Sequence, residues 1–209
     1  MISPPSCWFS GLVLASVLCT FGAGDARADE SAAKKRAQEL FTEGRAALDK
    51  GDKAKGCALM RESVTIFAVA NTLFNIAMCD EDEGKIAAAL EHWERGLTLV
   101  DPNDPRAPVA KEHIATLGAR VPRLRIVLPK DKQVSAVLLD GQPLAPSAYV
   151  EALKVEPGKH VIVVQSPDWQ DRQHEVVLAE RERTEVIATP STVARSASGS
   201  SGDPPPPPP

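Results

Sequence analysis

Between Ala37 and Asp101 the apolar positions recur at steps of three and four, the period of helices that bury one stripe. Ala37, Leu40, Phe41, Gly44 and Leu48 mark the first stripe, on a helix predicted from an N-cap at Ser31 to about Lys50. A second helix, 53–67, carries Cys57, Met60, Val64 and Phe67. A third, 70–83, carries Leu73, Phe74, Ile76, Ala77 and Asp80, and a fourth, 86–99, carries Ala89, Leu90, Trp93 and Leu97. Asp104-Pro105 opens a fifth, with Ala107, Ala110, Ile114 and Leu117 facing inward and Gly118 and Pro122 as its stop. Beyond Pro122 the period falls to two: Leu124, Ile126 and Leu128 alternate with Arg123 and Arg125, as in a half-buried strand. Further short strands are predicted at 134–139, 152–155, 160–165, 174–178 and 184–188, with Asp140-Gly141 and Pro157-Gly158 as turns. The pattern predicts an α+β chain of two domains: helical hairpins over 29–121, then a small antiparallel β-sandwich over 122–189.

The helical half repeats itself. Gly44 aligns with Ala77, Gly51 with Gly84, Gly56 with Ala89 and Met60 with Trp93, each pair offset by the same 33 residues. In each copy two small residues stand where helices approach, a glycine supplies the turn, and a bulky residue fills the gap. This spacing resembles the tetratricopeptide repeat, most clearly in the second copy through Leu73, Ala77, Ala89, Trp93, Gly96 and Pro102. The first copy departs from the family at Glu43, usually apolar, and at Ala47, usually aromatic. The resemblance implies a binding surface for a protein or peptide rather than a reaction. The concave face of that fold is formed by the first helix of each hairpin, which makes Gln38, Phe41, Arg45, Asn71, Phe74, Asn75, Met78 and Asp82 the candidate partner-binding residues. Asn75 would pair with a peptide backbone and Met78 would give adaptable apolar contact. For Phe41 and Phe74 ordinary core packing is the alternative. A stack of repeats needs a closing helix at its end, a duty the fifth helix fits, and that end is also a route to self-association.

In the second half, Val137-Leu138-Leu139-Asp140-Gly141 and then Val155-Glu156-Pro157-Gly158-Lys159-His160-Val161-Ile162-Val163 resemble the PEGA domain. That likeness implies a β-sandwich module of bacterial envelope proteins over roughly Arg123 to Thr189. The Gly-x-x-Pro segment often found in that family is replaced here by Gln142-Pro143-Leu144-Ala145-Pro146. From 190 to 209 the chain reads as a disordered tail rich in Ser and Gly, ending in a proline run expected to form a polyproline II spacer.

Residues 1–28 read as a signal peptide. Trp8 to Ala23 is apolar or small and too short for a comfortable membrane span, and Ala26-Arg27-Ala28 offers a cleavage site between Ala28 and Asp29. An uncleaved anchor, or lipidation at Cys19, is the alternative. Cleavage predicts a periplasmic or extracellular protein that keeps only Cys57 and Cys79. An even pair in an oxidising compartment is a candidate disulfide, and in the repeat stack the two cysteines fall on neighbouring helices. The other reading leaves both as small buried hydrophobes.

Composition narrows the function. The net charge of −4 with scattered basic residues argues against nucleic acid, which needs a concentrated positive face. His92, His113, His160 and His174 lack metal-ligand spacing and read as surface imidazoles, and no metal or other cofactor is expected. Asp80-Glu81-Asp82-Glu83 points its carboxylates to different helix faces, so these read as solvated charges. Nucleophile, phosphate-loop and paired-carboxylate signatures are missing, which predicts a non-enzymatic adaptor. Two other readings stay open. One is a sensor or scaffold piece of a longer membrane protein, with the proline run as spacer. The other is a carbohydrate-binding module for an envelope or surface glycan, with Trp169 and Tyr149 as stacking residues.

Overall fold

The computed structural model describes residues 23–149 and 151–195. Among them five α-helices come first: α1 (Ala23–Asp49), α2 (Lys53–Ile66), α3 (Ala70–Asp82), α4 (Ile86–Thr98) and α5 (Ala107–Arg120). Strands come next: β1 (Arg123–Val127), β2 (Ala136–Leu139), β3 (Gln142–Pro143), β4 (Leu153–Lys154), β5 (Gly158–Gln165), β6 (Arg172–Leu178) and β7 (Arg183–Ile187). The chain is α+β, helices before strands.

Two helical hairpins form because each has a turn that a glycine permits and a seam that small residues permit. Gly51 (φ +82°) and Gly84 (φ +75°) take the left-handed backbone between α1 and α2 and between α3 and α4. At the first seam a Cβ on Gly56 would lie 2.6 Å from the Leu48 side chain, so α1 and α2 touch through the glycine. Leu40 and Met60 fill the space beside it, at 2 % and 0 % exposure. The second seam uses Ala77 and Ala89, and Trp93 stacks on Phe74 with centroids 5.1 Å apart. Ala110 and Leu117 of α5 join that cluster and cover α4. Cys57 and Cys79 are bonded to each other, tying α2 to α3.

Three helix ends differ from the sequence expectation. Instead of starting at Ser31, α1 runs back to Ala23, through Ala28 and Asp29, over a stretch that holds no proline to break it. Residues 1–22, with most of the expected leader, lie outside the described residues. Asp104 does not cap α5 at its first turn: its carboxylate takes the Arg106 N–H at 2.8 Å in a tight turn, and the helix begins at Ala107. At the far end α5 passes through Gly118 to Arg120.

The strands make two sheets, ordered β4-β1-β7 and β3-β2-β5-β6. Leu124, Ile126 and Ala188 from the first meet Val137, Ile162, Val164 and Leu178 from the second in one apolar cluster. Not all the pairing is antiparallel, as the sequence suggested. β1 and β7 run parallel, from Arg123 beside Arg183 to Val127 beside Ile187. They are the first and last strands of the unit, and the whole second sheet lies in the connection between them, which satisfies the long crossover that parallel strands need. The chain also stays ordered past Thr189, where the tail was expected to begin. Trp169 bridges Ala194, and Arg195 Nη2 donates to Asp171 Oδ1 at 2.7 Å. The remainder of the expected tail, 196–209, lies outside the described residues.

Candidate functional site

α1 and α3, bridged by the Arg45–Asn75 side-chain bond, present one face. Along it Gln38, Arg45, Asn71, Met78 and Asp82 are exposed, and Phe41 and Asn75 are half-buried. Arg45 Nη1 donates to Asn75 Oδ1 at 3.0 Å, and Asn75 Nδ2 donates to the Asn71 carbonyl at 2.7 Å. Asp82 accepts from Lys53 Nζ at 2.6 Å. The first two bonds join Arg45, Asn75 and Asn71, while Gln38 and Asp82 stand apart from them along the same strip, with Met78 (58 % exposed) as an outward apolar contact. Phe74 is placed differently. It is buried to 6 %, packed on Gly96 and Trp93, and supports the strip from beneath.

At one end the strip opens into a cleft of about 210 Å³ between α1, α2 and the linker to α3, walled by Phe41, Phe67 and Val69 and lined by Gln38 and Thr72. Lys34 Nζ sits 4.9 Å above the Phe67 ring. Thr72 is fully buried and its hydroxyl has no hydrogen-bond partner. Lys34, Val69 and Thr72 escaped the sequence reading as site residues, and Phe67 stands there as a core position of the second helix. A signal was there: Phe67-Ala68-Val69 is a wholly apolar linker where a polar one is the rule.

The acidic run at the end of α3 is not solvated as a group. Asp80 is buried to 2 %, with Oδ1 bonded to Arg61 Nη2 at 2.6 Å and Oδ2 to His92 Nδ1 at 2.7 Å. Burial works to raise its pKa, but the bonds from His92 and Arg61 outweigh that and hold the carboxyl below its ordinary value. Glu81 accepts from Trp93 Nε1 at 2.7 Å and pairs with His113 Nδ1 at 2.8 Å, while His113 stacks on Trp93 at 4.3 Å. The four carboxylates do diverge, but each meets cations or N–H donors from neighbouring helices. His92 and His113 are structural partners of that run rather than free surface imidazoles.

The two halves of the chain meet at Glu156. Its carboxylate accepts the backbone N–H of Ala87 at 2.9 Å and of Ala88 at 2.8 Å, the open N-terminal donors of α4. Lys154 Nζ bonds Glu94 of α4 at 2.7 Å, and Arg120 Nη2 bonds Glu180 at 2.8 Å. Behind Glu156, His160 Nδ1 faces Asp140 Oδ2 at 2.6 Å and His160 Nε2 faces the Glu156 carbonyl at 2.7 Å. Both partners are acceptors, so only the imidazolium satisfies both. Burial pushes this imidazole down, and the Asp140 carboxylate and Glu156 carbonyl more than reverse it, raising its pKa above the ordinary histidine value.

The two aromatic residues considered for sugar stacking are drawn inward or covered. Tyr149 packs against the strand core and donates to the Leu144 carbonyl at 3.2 Å. Trp169 pairs through its backbone with Ala194, and Lys132 Nζ lies over its ring at 5.8 Å. No family model and no curated protein matches this chain, so the strip and its apolar cleft stand on their own geometry.

Proposed function

We propose that this chain is an exported, non-enzymatic adaptor whose helical hairpins, of tetratricopeptide type, hold a protein or peptide segment along the α1–α3 strip. The observation that carries the reading is the cleft at the end of the strip. Two phenylalanines and a valine wall a space of about 210 Å³, enough for one apolar side chain, next to a row of amide and charged groups suited to a peptide backbone. The Cys57–Cys79 bond accords with an oxidising compartment, and so with a leader cut at Ala28–Asp29. The strand unit, read as a PEGA-like β-sandwich, makes the second envelope contact in this proposal.

Selection of peptides on the mature chain by phage display, and then fluorescence anisotropy, tests it. Val69→Asp and Met78→Glu change exposed positions and should each weaken a selected peptide at least about tenfold. Val177→Asp, on the distant strand β6, should leave the affinity unchanged. A peptide bound equally by all three variants would place the binding surface elsewhere and end the proposal.

A further inference from the structure

The sheet β4-β1-β7 turns Leu124, Ile126 and Ala188 to the core, so the alternate residues face outward. Pairing sets these in rows. Lys154 stands beside Arg123 and Arg123 beside Arg183; one step on, Arg125 stands beside Glu185. Cations scattered along the sequence therefore converge on one face of a chain whose net charge is −4. Two of the four are answered: Lys154 by Glu94 at 2.7 Å, and Arg125, loosely, by Glu185 at 3.5 Å. Among the described residues, Arg123 and Arg183 have no carboxylate within 4.0 Å.

Like charges directly opposite on neighbouring strands weaken a sheet. Strands lie about 4.8 Å apart, which puts two guanidinium forks close enough to donate to the same tetrahedral oxyanion. The space in front of them is open. A cleft of about 430 Å³ lies between Arg123, Arg125, Arg183 and Glu185, with Ala152 and Thr184 completing its lining. A carboxylate of this chain would have to replace what the pair lacks, and Glu185 is already turned to Arg125.

We propose that this face is an oxyanion site in which Arg123 and Arg183 jointly clamp a phosphate group and Arg125 adds positive charge at the rim. The chemistry is the same for free phosphate and for a phosphate carried on a lipid headgroup. The site is separate from the α1–α3 strip and does not rest on the adaptor reading.

Calorimetric titration of the full chain with inorganic phosphate at low ionic strength tests it. One saturable site is expected. Arg123→Gln and Arg183→Gln should each weaken it at least about tenfold, and Arg125→Gln about twofold. Arg95→Gln, an exposed arginine on α4 paired with Glu91 at 3.7 Å, should change nothing. Phosphate should raise the melting temperature of the wild type but not that of Arg183→Gln. Without phosphate that variant should melt no lower than the wild type, because a like-charge contact has been removed. Arg183→Lys keeps the charge and loses the fork, so it should bind more weakly than the wild type and more tightly than Arg183→Gln. Co-sedimentation with phosphatidylcholine vesicles containing phosphatidic acid separates the sources. Binding at far lower phosphate concentration than the free ion assigns the headgroup, and equal affinity assigns the ion. Failure of the wild type to bind either probe at millimolar concentration overturns the site. So does equal loss in Arg95→Gln, or a lower melting temperature of phosphate-free Arg183→Gln.

Discussion

The two helical hairpins share one 33-residue register yet are closed by different means. In the first, Asp52 caps its own helix: its carboxylate accepts the Lys55 N–H at 3.0 Å. Moved on by the repeat, Asp52 becomes Lys85 and Lys55 becomes Ala88. Lysine accepts nothing, and α4 has no side-chain cap at Lys85. The missing acceptor is Glu156, 68 residues further along, which takes the Ala88 N–H at 2.8 Å. The same shift turns buried Ala47 into buried Asp80, which needs Arg61 and His92 to satisfy it. The first hairpin completes itself with apolar packing and a local cap. The second gives up local closure and draws its acceptors and cations from neighbours, which binds it to both α5 and the strands. A repeat unit in the middle of a chain is joined to its neighbours by the groups it lacks.

The strongest way to test that contrast is to cut the disulfide that cross-links the hairpins beyond their main-chain connection. Closing a loop of 22 residues' separation restricts the unfolded chain by about 3 kcal/mol. Cys57→Ser with Cys79→Ser should lose that much in denaturant unfolding, with the α1–α2 hairpin losing amide protection first. Equal stability would mean that packing alone holds the hairpins together. Asp80→Asn comes next, at about 2 kcal/mol, since it strips charge-assisted bonds from a buried acceptor. The pH dependence has a definite sign. A carboxyl held below its ordinary 3.8 contributes fully above that value and loses its contribution as pH falls through the lower folded one. The asparagine variant should lack this part of the acid limb.

The borrowed cap gives a sharper, smaller effect. Glu156→Ala should cost about 1–2 kcal/mol, and Asp52→Ala, which empties the local cap, about 1 kcal/mol. Adding Lys85→Asp to Glu156→Ala rebuilds in the second hairpin the cap that the first one has, and should recover most of the loss. Without that recovery, Glu156 would be acting through something other than the α4 amides.

Periodicity made the helices and their buried stripes legible, since Leu40, Met60, Leu73, Ala77, Ala89 and Trp93 each announce a core position by spacing alone. It could not say where partners come from. Asp80 looks like one of four solvated acids until Arg61 and His92 are folded against it. Alternation told which face Arg123 occupies, but Arg183 lay just outside the strand expected at 184–188, and the direction of β7 beside β1 depends on a crossover that no local pattern encodes. Glu156 sits in a Pro-Gly turn and reads as a turn residue. The warning lay elsewhere, in a helix starting at Lys85 with no acceptor of its own. The resemblance named the polar residues of α1 and α3 as candidates, while the cleft beside them depended on the linker's path.

The smallest expected effect isolates the second hairpin's dependence on the strands. His160 holds the Glu156 carbonyl through Nε2 and Asp140 through Nδ1, and both bonds need the protonated ring. Its folded pKa lies above the ordinary 6.5, so the stabilisation is complete below that value and is lost as pH rises through the folded one. As the ring loses its proton, one of the two bonds fails and the turn that aims Glu156 at α4 loosens. The opening free energy at the Ala88 amide, from hydrogen exchange corrected for intrinsic rates, should therefore fall as pH rises above 6.5. The Lys55 amide, capped by Asp52 in its own hairpin, should show no such fall, and His160→Gln should flatten the Ala88 profile. Parallel profiles at the two amides would mean that both helices answer to one global opening, and that the borrowed cap gives the second hairpin no separate coupling to the strands.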